Sequence, residues 1–236
     1  MKWRSLQESG SYSDLRPLRE IFAERKESIA KYVPADVQAV HSRAIKALKA
    51  QELAAGALHR FAVGTKAPSF QLPDHNGKLV SSTEVLAKER LVLIFIRGRW
   101  CPFCVGQMEA MNYLASKISA AEASLVAVSP QTEKQAYFMR DQHRLSFPLL
   151  VDANNQLARQ FGLVYRVSEE QQALYRSTFV NLPFTNGEPS WELPIPATFI
   201  IDGDGTVMFA SANEDYTERP EPLEILTALT QIKSQE

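Results

Sequence analysis

One stretch constrains this chain more than any other. Leu91-Val92-Leu93-Ile94-Phe95-Ile96 is an unbroken apolar run, and it leads directly into Arg97-Gly98-Arg99-Trp100-Cys101-Pro102-Phe103-Cys104. A short, β-rich run flanked by charge predicts a strand buried on both faces, as in a parallel sheet. After it the period changes. Cys104, Met108, Met111, Ala115 and Ile118 recur at steps of three and four, which is one face of a helix. Pro102 suits the first helical position, where a missing N–H costs nothing. The cysteine pair therefore falls where a buried strand gives way to a helix N-terminus. Free amides and the helix dipole at such a point favour a thiolate. Strand, Cys-x-x-Cys, helix is the arrangement of a thiol–disulfide redox site.

Composition narrows the alternatives. Cys101 and Cys104 are the only 2 cysteines among 236 residues, which is not a disulfide framework. A structural zinc site needs about four ligands. No second cysteine pair exists, and His41, His59, His75 and His143 are scattered without ligand spacing, so no metal is expected. The chemistry calls for no cofactor. A net charge of −1 gives no electrostatic case for nucleic acid or an anionic membrane. No apolar stretch approaches the roughly 20 residues of a membrane span. The first residues, Met1 to Ser9, lack the apolar core of a secretory signal, so a reducing cytoplasm is the expected setting.

Residues 1–63 read as a helical arm. Ser13 and Asp14 offer caps, and Leu18, Ile21, Phe22, Ile29 and Tyr32 share a stripe. Pro34 breaks the helix, and Val37, Val40, Ala44 and Leu48 continue at helical spacing to about Gly56. The arm either packs on the rest of the chain or forms a contact in a homodimer. Residues 64–236 read as one α/β domain. Asp74-His75-Asn76-Gly77 predicts a hairpin turn, followed by a short helix over 83–87 capped through Ser81 and Glu84. Leu125–Ser129 and Phe147–Val151 are further strands. Asp152 caps a helix that Gly162 ends, and Leu163–Tyr165 is another short strand. Ser177 to Leu193 reads as a long ordered loop. Ala197–Ile201 and Val207–Ala210 form a hairpin, and a helix from Pro222 to about Ile232 closes the chain. The order predicts a mixed central sheet flanked by helices.

The segment from Phe95 to Cys104 resembles the active-site segment of the peroxiredoxin-like proteins of the alkyl hydroperoxide reductase and thiol-specific antioxidant family, within the thioredoxin fold. Ala67–Asp74, Val128–Thr132, Trp191–Asp202 and Asp215-Tyr216-Thr217 carry the same resemblance. It implies a thioredoxin-like fold with an N-terminal helical extension. It also implies a thiol-dependent peroxidase that reduces hydroperoxides with electrons from a thioredoxin-type donor. The alternatives are a thiol–disulfide oxidoreductase acting on disulfides and a redox-sensing binding module. The resemblance implies that Pro196 is a cis-proline beside the cysteines. Trp191 and Glu192 either form a wall near Pro196 or simply pack in the core.

The resemblance aligns the family's peroxidatic cysteine with Cys104. It puts Cys101 where the family carries a Thr and Arg97 where it carries a Pro, and Ile195–Thr198 holds no Arg. Helix position points the other way: Cys101, at the very start, is expected to be exposed and nucleophilic, with Cys104 as resolving thiol. Both orders stay open at this level. Arg97 and Arg99 are candidates to lower a thiol pKa or to position a substrate oxygen. Trp100 resembles the Trp before the thioredoxin pair, which shields the thiolate.

Overall fold

The computed structural model describes residues 16–55, 62–178 and 180–233. Two helices come first, α1 (Leu18–Tyr32) and α2 (Ala35–Ala55), separated at Val33 and Pro34. A hairpin of β1 (Gln71–Pro73) and β2 (Leu79–Ser81) leads into α3 (Ser82–Leu86), whose first turn is capped by the Ser81 hydroxyl accepting from the Glu84 amide. Then follow β3 (Arg90–Phe95), α4 (Pro102–Ala120), β4 (Ala123–Ser129), α5 (Glu133–Gln142) and β5 (Leu149–Val151). The Asp152 carboxylate accepts from the amides of Leu157 and Ala158 and so opens α6 (Gln156–Gln160). The chain continues through β6 (Val164–Arg166), α7 (Glu169–Ser177), α8 (Leu182–Asn186), β7 (Glu192–Pro194), β8 (Ala197–Ile201), β9 (Val207–Ala212) and α9 (Pro222–Lys233).

The main sheet has the order β5-β4-β3-β8-β9, so β3 is its middle strand. It runs parallel to β4 and antiparallel to β8. Every residue of β3 is buried, as a middle strand covered on both faces requires. Successive side chains alternate between two cores. Val92, Ile94 and Ile96 join Cys104, Met108, Met111 and Ile118 of α4 and Ile225 and Leu229 of α9. Leu91, Leu93 and Phe95 face Leu157, Phe161 and Phe199. This is the expected mixed sheet flanked by helices, preceded by N-terminal helices.

The predicted long loop from Ser177 to Leu193 is not one. Asn181 caps α8 by accepting from the Phe184 amide, Pro183 occupies its first turn, and Gly187 ends it at φ 73°. β7 exists because β6 supplies its partner, a long-range pairing with no local signature. The expected cis bond at Pro196 is also absent: no described peptide bond is cis. The residue before a proline is pushed toward extended backbone. Ile195, before the trans Pro196, donates its amide to the Leu163 carbonyl at 2.6 Å between β7 and β8.

The arm helices lie against the sheet domain. The α1 amides of Leu18 and Arg19 donate to the Glu221 carboxylate at 2.7 and 2.9 Å, so a side chain from the start of α9 satisfies a helix N-terminus far away in sequence. Leu18 and Phe22 are buried, and Phe22 meets Phe103 edge to face at 5.0 Å. A Cβ on Gly106 of α4 would fall 2.9 Å from the Phe22 ring and 2.7 Å from Arg25 Nη1, so that glycine allows α1 its close approach. Tyr32, expected on the same stripe, is 61% exposed, while Ile29 and Val33 on either side of it face the cleft over Cys101. The predicted caps Ser13 and Asp14, and Gly56 and His59, lie outside the described residues. Truncating a buried Phe costs about 3–5 kcal/mol. Phe22→Ala is therefore expected to lower the stability read by denaturant titration by about 3 kcal/mol. A loss below about 1 kcal/mol would show that the arm does not fold cooperatively with the sheet.

Candidate active site

Cys101 ends the loop after β3 and sits at the N-cap of α4, with extended backbone (φ −91°, ψ 111°) and its carbonyl accepting from the Val105 amide at 3.0 Å. Cys104 lies one turn further, on the buried face. Both are free thiols. Cys104 is 0% exposed as expected, but Cys101 is only 1% exposed, which corrects the expectation of an open first cysteine. Residues remote in sequence cover it. Cys101 shares the floor of a cleft of about 620 Å³ with Arg97, Trp100 and Phe103, and the walls include Ile29 of α1, Val37, His41 and Ile45 of α2, and Tyr216. Cys104 does not line that cleft.

Two arginines address the pair. Arg97 is 1% exposed, yet among the described residues no carboxylate bonds it. Its Nη1 lies 4.0 Å from Cys101 Sγ, and its Nη2 donates to the Tyr175 hydroxyl. Its guanidinium carbon stands 4.0 Å from the Tyr216 ring centre and 4.7 Å from that of Trp100, within cation–π range of both. The second is Arg219, in the loop between β9 and α9. Its Nη2 lies 3.6 Å from Cys104 Sγ, and its Nε donates to Gln107 Oε1 at 2.8 Å. Gln107 in turn donates to the Thr198 hydroxyl at 3.3 Å. The sequence offered no sign of Arg219's role; a single arginine before Pro220 looks like any solvated loop residue.

These neighbours split the two thiols. Burial alone would raise the Cys104 pKa. The hydrogen bond from Cys101, then the charges of Arg219 and Arg97, outweigh it and bring Cys104 down to about 5. Burial, then the hydrogen bond and charge of Cys104, push Cys101 well above the usual thiol range despite the same arginines. Two thiols this close titrate as a pair, with one proton released early and one retained. Burial opposes the Arg97 charge too, but Tyr165, Tyr175 and Cys101 outweigh it, so the guanidinium stays charged. Burial raises Tyr175, and brings Tyr216 to about 12, so both remain neutral donors and acceptors.

The other predicted residues are placed as follows. Trp100 packs edge to face on Tyr175 at 5.4 Å and forms one side of the Arg97 cage. Gly98, at φ 144°, makes this fit possible: a Cβ there would lie 2.8 Å from Trp100 Nε1. Arg99 is not brought to the pair. Its amide and Nε donate to Gln131 and Gln135, at 2.8 and 2.5 Å, on the α5 side. Pro196, in trans, lines a smaller cleft of about 260 Å³ with Thr198, Asn213 and Arg219. Trp191 takes the core-packing alternative, against Tyr175 and under Arg176 at 4.5 Å, and Glu192 pairs with Arg159, so neither lines the Pro196 cleft. Among the described residues no group of three or more His, Cys, Asp or Glu side chains is placed to hold a metal ion.

A buried strand, a thiol pair at a helix N-terminus and arginines on both sulfurs define a thiol redox centre in a thioredoxin-like fold. The AhpC/TSA family model matches residues 63–210. Peroxiredoxin Bcp of Bacillus subtilis is 32% identical over 123 residues, which are 50% of this chain and 76% of that protein. Thiol-disulfide oxidoreductase ResA of Bacillus cereus is 23% identical over 160 residues, 67% of this chain and 75% of that protein. Peroxidoxin BcpB from Mycobacterium tuberculosis superposes with a TM-score of 0.58 at 21% identity, covering 75% of this chain and 99% of its own. The chain belongs to the AhpC/TSA family, and membership makes it a thiol-dependent oxidoreductase.

An opposite charge at close range lowers a thiol pKa by about 1–3 units. In a Cys101→Ser background, where a hydroxyl still donates to Cys104, Arg219→Met is expected to raise the midpoint of the ultraviolet thiolate titration by about 1–2 units. An unchanged midpoint would remove Arg219 from the electrostatics of the site.

Proposed function

We propose that this protein is a peroxidase in which Cys104 attacks a hydroperoxide and Cys101 closes the disulfide. The observation that carries this is Arg219, whose Nη2 stands 3.6 Å from Cys104 Sγ and whose Nε is anchored on Gln107, a placement that favours the thiolate at Cys104 and leaves the proton on Cys101. The thiolate is the nucleophile. Its sulfur bonds to the terminal peroxide oxygen, the O–O bond breaks, and Cys104 becomes a sulfenic acid. The departing alkoxide takes the proton of the Cys101 thiol and leaves as the alcohol. The Cys101 thiolate then attacks the sulfenic sulfur, forming the disulfide and releasing hydroxide. Arg219 and Arg97 present N–H donors beside the two sulfurs. They hold the negative charge before attack and position the peroxide oxygens during it. Trp100 fixes Arg97, and Pro196 walls the smaller cleft beside Arg219. Arg99, directed at Gln131 and Gln135, has no part in this scheme.

The spent disulfide is reduced by an external dithiol of the thioredoxin type, by thiol–disulfide exchange. Such a cycle suits a reducing cytoplasm, and no described helix is long and apolar enough to cross a membrane. Residues up to 63 act as an arm of the 64–236 domain, supplying the walls of the large cleft from α1 and α2.

One observation favours a second order. Cys101 lines the large cleft and Cys104 does not. In a thiol–disulfide oxidoreductase Cys101 would attack a substrate disulfide and Cys104 would resolve. A peroxide assay coupled through thioredoxin and its reductase, with each cysteine changed in turn, separates the two. Cys104→Ser removes the sulfur that attacks the peroxide and is therefore expected to abolish turnover with peroxide. Cys101→Ser is expected to oxidise once per molecule, yield a Cys104 sulfenic acid that a dione probe captures, and stop. Cys104→Ser trapping mixed disulfides while Cys101→Ser ignores peroxide would establish the second order instead.

A further inference from the structure

Helix α2 brings one imidazole into the redox centre. His41 lines the large cleft together with Arg97, Cys101, Tyr175 and Tyr216. Its Nδ1 lies 3.2 Å from the Tyr216 hydroxyl and 3.2 Å from Gln171 Nε2. Its ring packs against Tyr175 and Tyr216, with centroids 6.0 and 6.1 Å away. These are the two tyrosines that hold Arg97, one through its hydroxyl and the other through its ring face. One side chain of the arm thus touches both supports of the buried guanidinium.

The hydrogen bonds determine its protonation. A side-chain amide nitrogen only donates, so Gln171 makes Nδ1 an acceptor and leaves the ring proton on Nε2. Tyr216, a neutral phenol, is the second donor to that nitrogen, and the two share its one lone pair at 3.2 Å each. The groups facing the ring are Gln171 and Tyr175 of α7, Tyr216 and Asp215 of the loop after β9, Arg97 of the loop after β3, and Lys26 of α1 across the cleft. Burial, then the Arg97 charge, hold the imidazole down at about 4, so it is neutral at neutral pH. A neutral acceptor is what this position requires, because a second cation would repel Arg97 and leave Tyr216 without a partner.

We propose that His41 is a positioning residue of the redox centre, an acceptor supplied by the arm that holds Tyr216 and, through the Tyr216 ring, keeps the Arg97 guanidinium aimed at the cysteine pair. The proposal rests on the assignment of that pair as the reacting centre. It adds that the arm is part of the catalytic apparatus, since its removal would take away the support of Arg97 as well as a wall of the cleft.

The test compares His41→Leu, which removes the acceptor, with His41→Asn, whose Oδ1 replaces Nδ1 as an acceptor. The readout is the ultraviolet thiolate titration in a Cys101→Ser background, which does not require peroxidase activity. Because this reports a thiol pKa, failure of the peroxidase assignment, seen as an inert parent enzyme, is distinguishable from failure of the proposal. His41→Leu is expected to raise the Cys104 midpoint by about one unit, leaving roughly tenfold less thiolate on the acid side of the titration. His41→Asn is expected to restore most of the parent curve. Where His41→Leu does not fold, Tyr216→Phe, which removes only the hydroxyl, is expected to give the same upward shift. A folded His41→Leu or Tyr216→Phe with the parent midpoint would overturn the proposal, and so would a shift that His41→Asn does not reverse, which would mark a packing role alone.

Discussion

The structure depends on a buried arginine whose counterion, among the described residues, is not a carboxylate. Removing a guanidinium from water is costly unless an opposite charge or a set of hydrogen bonds replaces the solvent. Around Arg97 the replacement is made from a thiol, a phenol oxygen and two aromatic faces. Such partners stabilise a cation less than a carboxylate does. The site therefore gains most when one sulfur of the pair becomes a thiolate. Arg219 acts in the same direction from the other side. On the proposed chemistry, the charge of the reactive state is built into the resting fold, which is how a centre stabilises charge without reorganising at the moment of reaction.

That constraint explains the surrounding architecture. Arg97 follows the C-terminal end of the buried middle strand, and α4 starts where its amides face the same point. α7 supplies Tyr175, the loop after β9 supplies Tyr216 and Arg219, and α2 supplies His41. Four segments distant in sequence converge on two sulfurs. The Glu221 cap on α1, the Phe22–Phe103 contact and the close approach at Gly106 hold the arm in the one placement that lets α2 reach this cluster.

Much of this was legible in the chain because it is local. A six-residue apolar run has few places in a fold other than the middle of a sheet, and a proline after a cysteine marks where the helix begins. The hairpin at Asn76-Gly77, the Ser81 cap and the Asp152 cap follow from side chains within a few residues of the backbone they serve. What was not legible is long-range. The covering of Cys101 comes from α1, α2 and Tyr216. Arg219 has no motif around it, and His41 looked like one of several scattered histidines. β7 exists only because β6 lies beside it. At Pro196 the family resemblance suggested a cis bond, but the Ile195 amide has a carbonyl to reach at Leu163, and the extended trans chain delivers it there.

The central claim is that the pair holds a single low-pKa thiolate and that its sulfur is Cys104. It is tested most directly in the unaltered reduced protein, by following the Cβ chemical shifts of both cysteines through a pH titration. Changing neither cysteine keeps the coupling between them intact. The Cys104 Cβ resonance is expected to move with a midpoint of about 5, and the Cys101 resonance to stay in its thiol position until strongly alkaline pH. A low midpoint at Cys101 with Cys104 remaining protonated, or two midpoints both in the ordinary thiol range, would contradict it.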